Sequence, residues 1–127
     1  LANNESMEMY LETIFLIEKN HGHAHNVDVA KELGVSKASV SKAMKTLKAK
    51  GYVSNETYGT ITLTDEGRKI SERIFRNHKL ISLFLEHSLE LQTEEASENA
   101  CKIEHVLSEN MVKAIQKYLT KNNISFE

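Results

Sequence analysis

The densest chemistry in this chain lies in one pentad, Cys101-Lys102-Ile103-Glu104-His105. On a helix, positions i, i+3 and i+4 share a face. A thiolate, a carboxylate and an imidazole then converge, and together they are a ligand set for a first-row divalent ion. The plainer alternative is a buried Cys beside a surface Glu–His pair. Met9 and Glu12 repeat a one-turn spacing near the N-terminus. His78 stands in a long amphipathic stretch, where a single His is ordinarily structural. Three further histidines alternate at His21, His23 and His25. In an extended segment alternate residues share a face, so the run is able to capture Ni²⁺ or Zn²⁺ adventitiously, although alternating His in a loop is ordinarily solvated. His87 reads as a helix-dipole partner, and Met44 and Met111 read as core.

A second chemistry follows from charge. Residues 31–50 carry six Lys against the single acid Glu32, whereas residues 86–109 carry seven Glu against Lys102 alone. The net charge of −2 hides this asymmetry. A basic segment suits a polyanion and an acidic one a cation, the alternative being solvated helix faces. Within the basic segment, Ser36, Lys37, Ala38, Ser39, Ser41 and Lys42 are small or basic. Small side chains let a helix end sit deep in the major groove, and Ala38 suits a thymine methyl. Lys37, Lys42, Lys45 and Lys48 suit phosphates, which position a protein without reading sequence. Asn55, Thr57, Tyr58 and Thr60 are further backbone contacts expected from a neighbouring hairpin.

The elements that must position these residues are mostly helical. The chain has 127 residues, no Pro, no Trp and only five Gly, so little forces helix breaks. Apolar residues make up 40% and charged residues 27%, a globular balance. One Cys excludes an internal disulfide. No stretch approaches the roughly 20 apolar residues of a membrane span, and no signal-like segment opens the chain. Apolar spacing predicts a helix over 6–18 with Ser6 as N-cap, a loop over 21–26, and a short helix over 27–33 stopped by Gly34. A third helix over 37–50 is capped by Ser36, with Val40, Ala43, Met44 and Leu47 inside. Two helices joined through Leu33-Gly34-Val35-Ser36 make a helix-turn-helix, with Val35 expected to plug the angle between them. Tyr52-Val53 and Thr60–Leu63 predict a short hairpin, the wing. A long helix is expected over 65–88, then helices over 93–107 and 108–120 capped by Thr93 and Ser108.

Three segments are then specific together. Met7-Glu8-Met9-Tyr10-Leu11-Glu12-Thr13-Ile14, Asn77-His78-Lys79-Leu80 and Cys101–Ser108 resemble the diphtheria toxin repressor family of metal-dependent transcription regulators, which has iron and manganese branches. The helix-turn-helix and wing match in order, so the resemblance covers nearly the whole chain. It implies a homodimer with an N-terminal DNA-binding lobe and a helical lobe that binds metal and dimerises. It implies a principal site of Met9, Cys101, Glu104 and His105. The sulfur donors match the iron branch; the manganese branch has carboxylates at both sulfur positions. Thioether and thiolate favour Fe²⁺, Co²⁺, Ni²⁺ or Zn²⁺ over Mn²⁺. The chain departs from the iron branch at its ancillary site, where His78 is kept but Ser82 and Ser97 replace Glu and His. Glu12 matches a manganese-branch ligand, which makes a second metal on Glu12, His78 and Glu104 conceivable. The resemblance implies the compact form of the family, without the SH3-like C-terminal domain of longer members.

The expectation is therefore a mainly α protein: a winged helix-turn-helix over 1–64 and a helical metal-binding and dimerisation domain over 65–127. It would be a cytoplasmic, metal-activated repressor of metal-uptake genes, responding to Fe²⁺ and binding a pseudo-palindromic double-stranded operator as a homodimer, with no membrane partner. One rival is a winged-helix regulator sensing a small ligand or Cys101 oxidation. A remoter rival is a small metalloenzyme, disfavoured because four protein ligands leave no open catalytic position and no nucleophile motif or phosphate loop is present.

Overall fold

The computed structural model describes residues 2–55 and 59–127. The chain divides into two compact units, residues 1–72 and 73–127. Six helices and a small sheet run in the order α1 (Ala2–His21), β1 (Ala24–His25), α2 (Asn26–Leu33), α3 (Lys37–Ala49), β2 (Val53–Asn55), β3 (Thr60–Leu63), α4 (Asp65–Leu89), α5 (Thr93–Ile103) and α6 (Glu109–Lys121). The chain is thus mainly α with a three-stranded sheet.

In the first unit, Leu11, Ile14 and Ile17 of α1 recur at three-residue spacing and are buried against Val29, Val40, Met44, Leu47 and Ile61. That stripe drives α1 inward, and the helix outruns the expected 6–18 at both ends. Ser6 is consequently an exposed mid-helix residue and not a cap. The segment expected as a loop over 21–26 contains β1, which adds to the hairpin through Ala24↔Ile61 and His25↔Thr60 and gives the antiparallel order β1-β3-β2. Ala24 is fully buried there.

The turn between α2 and α3 rests on Gly34 at φ 67°, a left-handed conformation that costs glycine nothing. Its amide and that of Val35 both donate to the Ala30 carbonyl. Val35, expected to plug the helix angle, is 38% exposed; the left-handed turn directs it outward, and Leu33 packs on the core instead. Ser36 caps α3 as expected, its Oγ accepting the Ser39 amide at 3.0 Å. At the start of α4, Thr64 Oγ1 donates to the Gly51 carbonyl and accepts the Gly67 amide. Glu18 of α1 takes both the Leu63 amide, at 3.3 Å, and Arg68, at 2.9 Å. Gly67 packs directly against the Tyr52 carbonyl, where any Cβ would overlap it.

In the second unit, Leu80 and Ile81 of α4, Ala100 of α5, and Val112, Ile115 and Leu119 of α6 form the core. Phe84 and Tyr118 meet edge to face at 5.2 Å. Ser108 caps α6 through the Met111 amide at 3.1 Å. Thr93 does not cap α5: the N-cap is Gln92, and Thr93 Oγ1 donates to Glu86 instead. Helix α5 stops at Ile103, four residues short of expectation. Glu104 is its C-cap, and the Val106 amide closes a tighter turn on the Ile103 carbonyl at 3.0 Å. The chain must leave the α5 axis there, because Ser108 is already committed as the cap of α6.

Candidate metal centre

The pentad does not lie wholly on a helix. Cys101 belongs to the last turn of α5, Glu104 is the C-cap and His105 sits in the following turn. Cys101 and Glu104 nevertheless meet in one group, because the C-cap keeps a right-handed helical backbone, with φ −56° and ψ −25°. Glu104 is the hub. It is 1% exposed, and burying a carboxylate demands partners. Its Oε2 lies 2.9 Å from His78 Nδ1 and its Oε1 3.4 Å from His105 Nε2. Asn77 Nδ2 donates to its backbone carbonyl at 3.2 Å. Cys101 Sγ is 3.8 Å from the same His78 Nδ1. The ligand atoms of His78, Cys101 and Glu104 all lie within 4.8 Å of one another.

The donor set fits a transition metal. A thiol, an imidazole nitrogen and a carboxylate oxygen face one another with no Lys or Arg in the group. Such a cluster gains most from a shared divalent cation with N, O and S affinity. Cys101 is exposed, so the group opens to solvent on the thiol side.

The grouping differs from the sequence expectation in two respects. His78, expected only in a second group with Glu12 and Glu104, is brought from α4 against Cys101 and Glu104, and no group of the described residues holds Cys101 and His105 together. Its other nitrogen, Nε2, lies 3.2 Å from Ser97 Oγ. His78, Ser82 and Ser97, the three positions of the ancillary site in the resemblance, line one cavity of about 320 Å³. A signal was available: Ser97, Cys101 and Glu104 are spaced by four and three residues, and Phe75, His78 and Ser82 by three and four, so each set marks one helical stripe. Met9 and Glu12 lie one turn apart on α1 in the first unit, Met9 43% exposed and Glu12 half-buried.

The histidine run forms no such cluster among the described residues. His21 ends α1, and His25 lies in β1, where its Nε2 meets Thr60 Oγ1 at 3.2 Å and its Nδ1 approaches Asp28 at 3.4 Å. Those are structural roles.

On α3, Ser36, Lys37, Ala38, Ser39, Ser41, Lys42, Lys45 and Lys48 all face solvent, while Val40, Met44 and Leu47 face the core. Tyr58 and Thr57 lie outside the described residues, as does the side chain of Asn55.

A winged helix-turn-helix with a basic exposed helix, followed by a helical unit carrying a Cys–His–Glu cluster, defines a class: regulators that couple metal binding to DNA binding. Residues 4–61 match the family described as iron dependent repressor, N-terminal DNA binding domain, and residues 64–124 match iron dependent repressor, metal binding and dimerisation domain. An HTH-type transcriptional regulator of Methanocaldococcus jannaschii is 37% identical over 93% of this chain and 95% of its own length. The regulator MntR of Lysinibacillus sphaericus is 36% identical over 87% of this chain and 78% of its own. Among solved structures, a manganese-dependent transcriptional repressor in complex with manganese superposes with a TM-score of 0.82 at 27% identity, covering 90% of this chain and 52% of that one. IdeR of T. acidophilum gives 0.79 at 25% identity over 92% and 54%. The chain thus spans about half the length of these solved proteins. It belongs to the diphtheria toxin repressor family of metal-dependent transcriptional regulators. Members of that family are DNA-binding regulators and not enzymes, which removes the metalloenzyme rival.

Proposed function

We propose that this chain is a metal-activated transcriptional repressor whose effector is Fe²⁺. As a homodimer it binds a pseudo-palindromic double-stranded operator in the cytoplasm and silences metal-uptake genes when the metal is plentiful. Residues 1–64 read DNA and residues 65–127 bind metal and dimerise. The observation that carries the iron assignment is the Cys101 thiol beside His78 and Glu104: a thiolate favours Fe²⁺ over the harder Mn²⁺. Met9, Cys101, Glu104 and His105 are the principal ligands, and Glu12 and His78, with Glu104, supply a second group.

When bound, the metal supplies a fixed positive centre that its ligands share. The chain does the rest. Glu104, held by Asn77 and His78, presents an already desolvated carboxylate. Met9 and Glu12 belong to α1, whose Leu11 and Ile14 share a core with Val40 and Met44 of α3. Restraining α1 therefore restrains the recognition helix. Lys37, Lys42 and Lys45 neutralise phosphates, while Ser36, Ala38, Ser39, Ser41 and Tyr58 meet bases and backbone. A 100-fold preference of the metal for the binding-competent state corresponds to roughly 2.7 kcal/mol of coupling.

The test is operator binding, anaerobic and reducing, with each divalent ion in turn. Fe²⁺ is expected to raise affinity about 100-fold, at lower free concentration than Mn²⁺. DNA binding indifferent to every metal overturns the reading, and activation by Mn²⁺ at the lower concentration overturns the iron assignment.

A further inference from the structure

We propose that Ser97 is a positioning residue of the metal centre, a two-way hydrogen-bond partner that lets His78 carry its ring proton on either nitrogen. The inference rests on the metal-binding reading above and adds to it a residue that ligates nothing itself.

The geometry is specific. His78 Nδ1 faces Glu104 Oε2 at 2.9 Å and Cys101 Sγ at 3.8 Å, while Nε2 faces Ser97 Oγ at 3.2 Å. A neutral imidazole has one N–H and one lone pair. Without metal, a carboxylate oxygen at 2.9 Å is a pure acceptor, so the proton sits on Nδ1. Nε2 then offers a lone pair, and the Ser97 hydroxyl donates to it. A metal ligand must offer its lone pair, so ligation through Nδ1 requires the proton on Nε2. The Ser97 hydroxyl then turns about its C–O bond and accepts that N–H. The exchange between these two neutral tautomers runs through water: Nε2 takes one proton and Nδ1 releases one.

Only a group that both donates and accepts serves both states. A carbonyl or carboxylate at position 97 serves one, and an Ala serves neither. Ser97 is well placed for this. It stands one turn before Cys101 on α5, so the same rigid element sets both, and it is half-buried at the cavity it shares with Ser82. Partners of a metal-bound imidazole's second nitrogen fix its tautomer and orientation.

The experiment uses the full chain and Zn²⁺, a diamagnetic probe. Ring ¹⁵N shifts of His78 are read with and without Zn²⁺, and Zn²⁺ affinity is measured against a competing chelator in the parent, Ser97→Ala and Ser97→Thr. The proton is expected on Nδ1 in the metal-free chain and on Nε2 in the loaded one. Ser97→Ala is expected to lose about 10–100-fold in Zn²⁺ affinity while its metal-free melting temperature holds, because Ala suits a helix interior. Ser97→Thr, which keeps the hydroxyl, restores the affinity. Parent-like Zn²⁺ binding by Ser97→Ala, or a proton remaining on Nδ1 in the loaded chain, overturns the proposal and leaves the metal site standing. A parent chain that binds no Zn²⁺ overturns both.

Discussion

On the proposed reading, metal preference turns on Cys101. Its sulfur is the soft donor in a group otherwise made of nitrogen and oxygen, 3.8 Å from His78 Nδ1. Co²⁺ bound through it is expected to show a thiolate-to-metal charge-transfer band that disappears in Cys101→Ala. A band unchanged by that substitution removes sulfur from the site. Met9→Asp combined with Cys101→Glu replaces both sulfurs by oxygens, and metal-stimulated operator binding is expected to shift toward Mn²⁺. Metal affinity should also fall as pH drops, since protons compete for thiolate and imidazole; a titration at two acid pH values checks it. The spacing of Cys101 and Glu104, one turn apart, made their half of the cluster legible, whereas His105 lies beyond the end of α5 and falls outside the group that holds Cys101. His78 was not legible in the same way. Its partner Cys101 is 23 residues distant, and only the packing of α4 on α5 brings the two together.

At the level of elements, two features invite mutation. Gly67 opens α4 with no room for a side chain over the Tyr52 carbonyl. Gly67→Ala is expected to destabilise the chain by about 1–3 kcal/mol, the usual cost of overpacking, although Ala is otherwise the better helix former. A raised or unchanged melting temperature would contradict that. On α3, the proposed DNA face predicts that Lys→Ala at each of positions 37, 42 and 45 lowers the salt slope of DNA binding by about 1. If the triple variant binds operator like the parent, the DNA face lies elsewhere. The helices were readable because apolar residues recur at their period, as with Val40, Met44 and Leu47. The two-residue strand β1 was not: a period of two cannot be counted over two residues, and it exists only because Ile61 and Thr60 pair with it. The end of α5 was hidden for another reason. Neither Gly nor Pro marks it, and the apolar spacing of Ile103, Val106 and Leu107 continues as though the helix did.

For the whole molecule, assembly is the property most open to test. Val112, Ile115 and Leu119 of α6 are buried in the second unit's own core. Val106 is 71% exposed, and Met111, read as core from the sequence, is instead 46% exposed, because Val112 beside it takes the inward side of α6. Association is expected to run through these two, since exposed apolar surface marks contact sites. Sedimentation equilibrium at micromolar concentration should give a dimer, and Val106→Glu with Met111→Glu should weaken it at least about tenfold, or 1.4 kcal/mol. A double variant that associates like the parent places the interface elsewhere. Operator affinity should fall as the dimer weakens, because two half-sites must be held together. No helix among the described residues is long and apolar enough to cross a membrane.

The early end of α5 has an electrostatic corollary. Carbonyls of a last turn lack intrahelical partners and carry a net negative partial charge. Cys101 and Glu104 sit at that terminus, so a divalent cation held there would gain roughly 0.3–1 kcal/mol of attraction regardless of its chemical softness. Attraction and discrimination are thus supplied by different parts of the chain, the backbone for the first and the side chains for the second. Raising ionic strength should loosen the hold on every divalent ion by a similar factor while leaving their rank order intact.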